Sequence, residues 1–252
     1  MIMTGLSIII ITYNEEHNIG KCLEAVKGLA DEILVVDSFS GDKTVEICES
    51  YGCRVIRREF KGFADQKLFA ANEAKNDWIL SLDADEVMTE DLKNEIHTML
   101  LQGTMPLCGY EIHLLLSYMG KIMHHSGVGT VYKLRLFNRK YGTFEFSHVH
   151  EQIVLNGPVG RLKGKIIHYS YRDLHHHFEK SNFYTSLAAK QYQQAGKRYQ
   201  KAWVAFKFPV TFLTYYFLKM GILDGYPGFM WSFLAAMYST IKIAKTIELI
   251  SL

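Results

Sequence analysis

Trp78-Ile79-Leu80-Ser81-Leu82-Asp83-Ala84-Asp85-Glu86 is the stretch that decides the fold. A mostly apolar run with strand propensity passes straight into three carboxylates, which is how a buried strand of an open α/β sheet ends at a charged crevice. Carboxylates this close repel one another and are costly to hold together without a cation. Hard oxygen ligands of this kind suit Mg²⁺ or Mn²⁺, and both ions favour diphosphates, so the stretch reads first as a metal-diphosphate site.

Upstream, Leu6-Ser7-Ile8-Ile9-Ile10-Ile11-Thr12-Tyr13 is a continuous run rich in β-branched residues, the pattern of a strand buried on both faces. It ends in Asn14-Glu15-Glu16, after which Ile19, Leu23, Val26 and Leu29 recur at helical spacing. Ile33-Leu34-Val35-Val36-Asp37 is a second buried strand, and Ser38-Phe39-Ser40-Gly41-Asp42 is a turn that also caps a helix running to Gly52. Cys53 to Arg57 reads as a third strand, and a helix from about Phe63 to Lys75 leads back to Trp78. Such alternation requires right-handed crossovers and a parallel sheet. Thr12-Tyr13-Asn14, Asp37-Ser38 and Asp83-Ala84-Asp85 then share one sheet edge, where a ligand of nucleotide size would lie across the strand ends.

Downstream, a helix is expected from roughly Thr89 to Leu101. Tyr110 to Leu116, Val131 to Phe137 and Gly164 to Tyr169 read as strands, separated by turn signals at Asn138 to Gly142 and Asn156-Gly157-Pro158, and are expected to add antiparallel strands. Asp173 is placed to cap a helix from Leu174 to about Ala195, stopped by Gly196. The fold class is therefore α/β: an open, mostly parallel sheet flanked by helices, with antiparallel additions and a C-terminal amphipathic helical tail.

Charge is divided unevenly. From Lys180 to Leu252 nine Lys or Arg stand against Asp224 and Glu248, a net of +7, which leaves −5 for the first 179 residues of a chain that totals +2. With Phe, Tyr and Trp interleaved among lysines from Ala202 onward, the tail is expected to lie on an anionic surface as one or two interfacial helices rather than to cross a bilayer. A core helix pair or a homo-oligomer contact is the alternative for the same segment. Cys22, Cys48, Cys53 and Cys108 form no CxxC pair, which argues for reduced thiols and against a zinc site. Met1 to Ile11 lacks a basic leader, so no cleaved signal peptide is read and a cytoplasmic protein, peripheral on the inner membrane face, is expected.

The strand-end motifs together with Val149-His150-Glu151 and Ile167-His168-Tyr169-Ser170-Tyr171 resemble family 2 glycosyltransferases of GT-A fold. The segment Tyr216 to Gly225 resembles the subgroup of bacterial lipopolysaccharide core biosynthesis, similar to a heptosyl β-1,4-glucosyltransferase. The resemblance spans nearly the whole chain. It implies a nucleotide-sugar-binding half at 1–100, an acceptor-side half of the same catalytic domain at 101–200 and a basic helical tail at 201–252.

The resemblance also implies roles. Thr12, Tyr13, Glu15 and Asp37 would hold uracil and ribose, and Asp83 and Ala84 would meet the ribose or diphosphate. Lys67 and Asn72 would stand near the diphosphate, or else be exposed helix positions. Asp85 would be the principal ligand of Mg²⁺ or Mn²⁺, with His168 joining it at the metal or diphosphate. Glu151 is the candidate general base for an inverting transfer, with Glu86 as competitor, because a carboxylate must stand opposite the leaving group. The donor would be a UDP-sugar and the acceptor a glycolipid or oligosaccharide; no nucleic acid is expected. His175-His176-His177 reads as helix surface, since consecutive helical residues cannot converge on one ion. Gly127-Val128-Gly129-Thr130 is a candidate loop over the donor. Three other readings compete: a polyprenyl-phosphate glycosyltransferase, a haloacid-dehalogenase-type phosphatase with Asp83 as nucleophile, and a non-catalytic membrane-surface module.

Overall fold

The computed structural model describes residues 4–146 and 151–251, with the side chains of Phe146 and Glu151 also outside that description. The chain forms two compact units, one of residues 4–114 and 131–169, the other of residues 115–130 and 170–251.

The first unit begins with the predicted alternation. Strand β1 (Leu6–Thr12) is followed by helix α1 (Ile19–Val26), β2 (Glu32–Asp37), α2 (Thr44–Ser50), β3 (Arg54–Arg57), α3 (Phe63–Glu73) and β4 (Trp78–Asp83). The four strands are parallel in the order β3-β2-β1-β4. Every residue of β1 is buried, as its unbroken apolar run requires of a strand covered on both faces. Side chains alternate between those faces. Ile8, Ile10, Leu80 and Leu82 pack with Ile19, Leu23 and Val26 of α1, while Ile9, Ile11, Leu34, Val36 and Ile79 pack with Ala70 and Ala71 of α3.

After β4 the sheet turns antiparallel. β5 (Glu86–Met88) and α4 (Glu90–Gln102) lead to β6 (Gly109–Tyr118), β7 (Lys121–Ile122), β8 (Val131–Asn138), a hairpin of β9 (Gly142–Phe146) and β10 (Glu151–Leu155), and β11 (Val159–His168). The sheet continues β4-β8-β6-β11-β5, with β7 paired to the end of β6. Thr89 accepts the Leu92 N–H as the N-cap of α4, and Gly103 closes that helix at φ 61°, so both of its predicted ends have a side-chain or backbone cause. Gly164 has a different reason to lack a side chain. A Cβ there would sit 2.3 Å from the Leu92 Cα, so glycine is what lets β11 lie against α4.

The second unit is helical. α5 (Leu174–Gln194) starts where Asp173 accepts the His176 N–H at 2.8 Å, the predicted cap. α6 (Ala202–Leu213) carries Pro209 and runs into a π-helical turn at Thr214–Leu218 and a 3-10 turn at Gly221–Asp224, and α7 (Tyr226–Ser251) packs on both α5 and α6. Among the described residues, no helix is long and apolar enough to cross a membrane.

His177 departs from the expected helix surface. It is buried in an aromatic box of Tyr118, Tyr171 and Trp231, with its Nδ1 3.0 Å from the Tyr118 hydroxyl. His175 remains exposed. The helical period explains the split: adjacent residues differ by about 100° around the axis, so one of three histidines can face inward alone.

Candidate active site

Parallel register puts the polar strand ends together. Thr12 pairs with Asp37, and Ile11 pairs with Asp83, so β1, β2 and β4 all finish at one edge. Thr12 is buried there, and its Oγ1 has no hydrogen-bond partner in the structure. A buried polar atom of this kind costs stability unless a ligand or water meets it. Tyr13 follows with its ring 60% exposed. Asp37 is fully buried and accepts both the backbone N–H and the hydroxyl of Ser40, which shapes the turn after β2. Glu15 accepts from the Asn18 side chain, while its own N–H donates to Thr44 Oγ1.

The acidic stretch is a tight turn. Asp83 ends β4, Ala84 and Asp85 make the bend, and Glu86 opens β5. The returning strand decides where each carboxylate goes. β5 pairs antiparallel with β11, setting Glu86 opposite His168, and the Tyr169 N–H donates to the Asp85 carbonyl. That register brings His168 Nε2 to 3.2 Å from Asp85 Oδ2.

Asp83 and Glu86 meet cations that belong to the protein. Lys67 Nζ lies 2.7 Å from Asp83 Oδ1, Arg135 reaches Asp83 Oδ2 at 2.9 Å, and the same guanidinium contacts Glu86. Glu86 also accepts the Asp83 N–H. Lys67, Arg135 and Glu86 are all buried, so this is a closed charge cluster. Burial opposes the charge on Asp83, but Lys67 and Arg135 outweigh it and hold the carboxyl well below the usual carboxylate range. For Glu86 burial wins, with repulsion from Asp83 added, and its pKa is raised in spite of Arg135.

The cation first inferred from the repelling carboxylates is therefore, for two of the three, Lys67 and Arg135. Lys67 is a buried partner of Asp83 and not an exposed helix position, whereas Asn72, near the end of α3, is exposed. Glu86, the competitor for general base, is sealed from solvent by these contacts and is better placed to hold the turn than to take an acceptor proton. Cys22, whose thiol faces the Asp83 carbonyl, is kept neutral: burial and then Glu86 push its pKa up.

Arg135 was not among the expected site residues. It sits at an irregularity where Tyr110 of β6 faces Leu136 and Glu111 faces Leu134, leaving Arg135 as the extra residue of β8. A bulge of this kind re-aims a side chain, and here it delivers a guanidinium to the end of β4. The signal in the sequence was a lone Arg between Leu134 and Leu136 in an apolar strand, where a buried charge demands a partner.

Asp85 and His168, beside that cluster, face one another as an oxygen and a nitrogen donor. An oxygen and a nitrogen donor of these kinds would serve a divalent ion as two of its ligands. Among the described residues, no group of three or more His, Cys, Asp or Glu is arranged to hold an ion by itself. Burial lowers the pKa of His168, but the hydrogen bond and charge of Asp85 more than reverse that and raise it. Glu151 opens β10 opposite Phe146, its side chain outside the description, and Val149 and His150 lie outside the described residues.

Comparison with known proteins gives the family. The profile of glycosyl transferase family 2 matches residues 7–104, the segment that holds β1 to β5 and α1 to α4. An uncharacterized glycosyltransferase of Rickettsia typhi is 32% identical over 98% of this chain and 88% of its own length. The lipopolysaccharide core biosynthesis glycosyltransferase LpsC of Rhizobium meliloti is also 32% identical, over 95% of this chain and 91% of its own. Among solved structures, S. aureus TarS in complex with UDP-GlcNAc aligns at a TM-score of 0.34 and 21% identity, covering 46% of this chain and 34% of that one, too slight a likeness to carry an argument. The phosphatase expectation is set aside by the near full-length relatives. The chain belongs to glycosyltransferase family 2 and is a glycosyltransferase.

Proposed function

We propose that this enzyme transfers a hexose, with inversion, from a UDP-sugar to a saccharide acceptor of a cell-envelope glycolipid such as the lipopolysaccharide core. The observation that carries the reading is the paired Asp85 and His168 at the strand edge that also holds Thr12 and Asp83. The full-length likeness to a lipopolysaccharide core glycosyltransferase supports the acceptor class.

Each residue then has a task. The exposed Tyr13 ring stacks on uracil, and the orphaned Thr12 Oγ1 meets the base or ribose. Asp37 and Glu15 hold the two loops that flank the base. Asp83 and Ala84 line the diphosphate, Lys67 fixes Asp83, and Asn72 extends the polar rim. Asp85 and His168 would hold Mg²⁺ or Mn²⁺, which neutralises the charge that grows on the leaving diphosphate. Glu151 takes the proton of the attacking acceptor hydroxyl.

The helical unit supports a place at the membrane surface. Trp203, Phe206, Val210, Leu213 and Phe217 follow one another at intervals of three and four residues through α6 and its π-helical turn, and each is at least half exposed. A single apolar stripe of that size on a helix bearing Lys201 and Lys207 suits the boundary between headgroups and acyl chains of an anionic bilayer.

The test is a screen of UDP-hexoses for hydrolysis and transfer with Mg²⁺ or Mn²⁺. Asp85→Ala should abolish the dependence of donor binding on the divalent ion. Glu151→Gln should bind UDP normally and lose transfer by about 100-fold or more. Full transfer by the Glu151→Gln enzyme would sink the assignment of the base, and failure of every UDP-sugar to bind would sink the donor.

A further inference from the structure

We infer that the cavity beside Arg135 is a subsite for a phosphate group carried by the acceptor saccharide. The proposal rests on the transfer reading above and names the chemistry of its acceptor. The cavity lies within the first unit, measures about 670 Å³, and is lined by Glu111 of β6, Tyr132, Lys133 and Arg135 of β8, Gln152 of β10 and Arg161 of β11, among others. Three of these six carry positive charge and one carries negative charge.

Arg161 is held for anion recognition. Its guanidinium lies over the Tyr132 ring, 4.4 Å from the centroid, and His113 stacks on the same tyrosine with centroids 4.7 Å apart. Its Nε donates to Glu111 at 2.8 Å. Ring and carboxylate together fix the plane of the guanidinium, and the atom they occupy is Nε. Among the described residues, neither Nη makes a hydrogen bond, which leaves the bidentate edge that matches a phosphate or carboxylate. A flat, pre-oriented fork gives up little side-chain entropy on binding.

Lys133 also borders the cavity, but it follows Tyr132 on β8 and projects from the opposite face of the sheet, so Arg161 is the cation on the Tyr132 face. Arg135 places the cavity relative to the chemistry. Arg135 is among the residues that line it, and its guanidinium binds Asp83 and Glu86, so this one residue links the cavity to the turn that carries Asp85. Gln152 is the residue after Glu151 on β10, which puts the backbone of the candidate base on the cavity's rim. An anion held by Arg161 would anchor an acceptor beside both. Glu111 and Gln152 supply the acceptor and donor groups that sugar hydroxyls need.

Titration of the wild-type enzyme with mannose 6-phosphate, mannose and inorganic phosphate tests this, with saturating UDP present and absent. The phosphorylated sugar should bind about tenfold or more tighter than either mannose or phosphate, and UDP should leave that binding unchanged. Arg161→Gln should weaken it about fivefold or more, and Lys133→Gln, on the opposite face of the sheet, should leave it unchanged. Arg161→Lys should behave like Arg161→Gln, since an ammonium cannot replace the stacked fork. Circular dichroism and thermal melts check that each variant folds. Equal binding of mannose and mannose 6-phosphate would overturn the proposal. So would inorganic phosphate binding as tightly as the sugar phosphate, since the site would then recognise no saccharide. Displacement by UDP would also overturn it, since the cavity would belong to the donor diphosphate. UDP binding to the wild-type enzyme reads the transfer proposal separately, so the two can fail independently.

Discussion

The strand-edge cluster of the first unit and the aromatic box of the second both bury titratable groups, by opposite means. Around Asp83 the protein keeps charge and surrounds it with Lys67 and Arg135. Around His177 it removes charge: burial first, then His176 and Lys180, push the imidazole down to about 4, while burial raises the pKa of Tyr118 beside it. The first solution holds a strong field at the sheet edge that carries Asp85, and the second closes a helical core. The difference predicts how each fails. A paired charge fails when its partner is removed, and a neutral imidazole fails when it is protonated.

Removing Arg135 is the largest break available. Arg135→Met should cost about 3–5 kcal/mol of stability, because it leaves Asp83 and Glu86 close together in a buried place with only Lys67 to answer them. The denaturant midpoint measures it. Adding Glu86→Gln to Arg135→Met should recover part of the loss, since one of the stranded carboxylates is then neutral. If the double variant were as unstable as the single, the charges would not be what Arg135 is there to satisfy.

Acid should break the aromatic box next. A histidine whose pKa is lowered on folding binds its proton more readily in the unfolded chain, so stability is full above the unfolded value near 6.5. It then falls as pH drops toward about 4. The loss from His177 alone should be on the order of 2–3 kcal/mol across that window. His168 has the opposite sign: its pKa is raised, so its contribution is present at low pH and is lost as pH rises through the folded value. Denaturation curves from pH 8 to pH 4.5 on the wild type and on His177→Gln separate the two. The fall attributable to His177 should be missing from the variant.

How legible these regions were in the sequence follows the same division. The parallel half could be read because an unbroken apolar run, a capped helix and a polar strand end each have a local cause, and β1, β2 and β4 fall where those causes put them. Asp173 and Thr89 as caps were legible for that reason as well. The closed cluster was not legible, because Lys67 and Arg135 reach Asp83 across 16 and 52 residues of sequence and no spacing rule joins them. The bulge that frees Arg135 exists only in the pairing of β6 with β8. His177 was hidden by its two neighbours. Three identical letters look like one surface feature, and which of them turns inward depends on where Tyr118 and Trp231 stand.

The smallest expected effect is also the one that sharpens the comparison most. Tyr118→Phe keeps the ring in the box and deletes the oxygen 3.0 Å from His177 Nδ1. With the imidazole proton on Nε2, the hydroxyl donates and Nδ1 accepts, and this is the tautomer the variant tests. The variant should cost about 1 kcal/mol at pH 7.5, where one buried acceptor loses its partner. A bond that Nδ1 can accept only while unprotonated lowers the histidine's pKa. Deleting it should therefore raise that pKa, and the acid-induced loss of stability in Tyr118→Phe should be smaller than in the wild type. An acid loss equal to the wild type's would mean that Nδ1 is the donor, a bond that survives protonation. The box would then exclude the proton by burial alone.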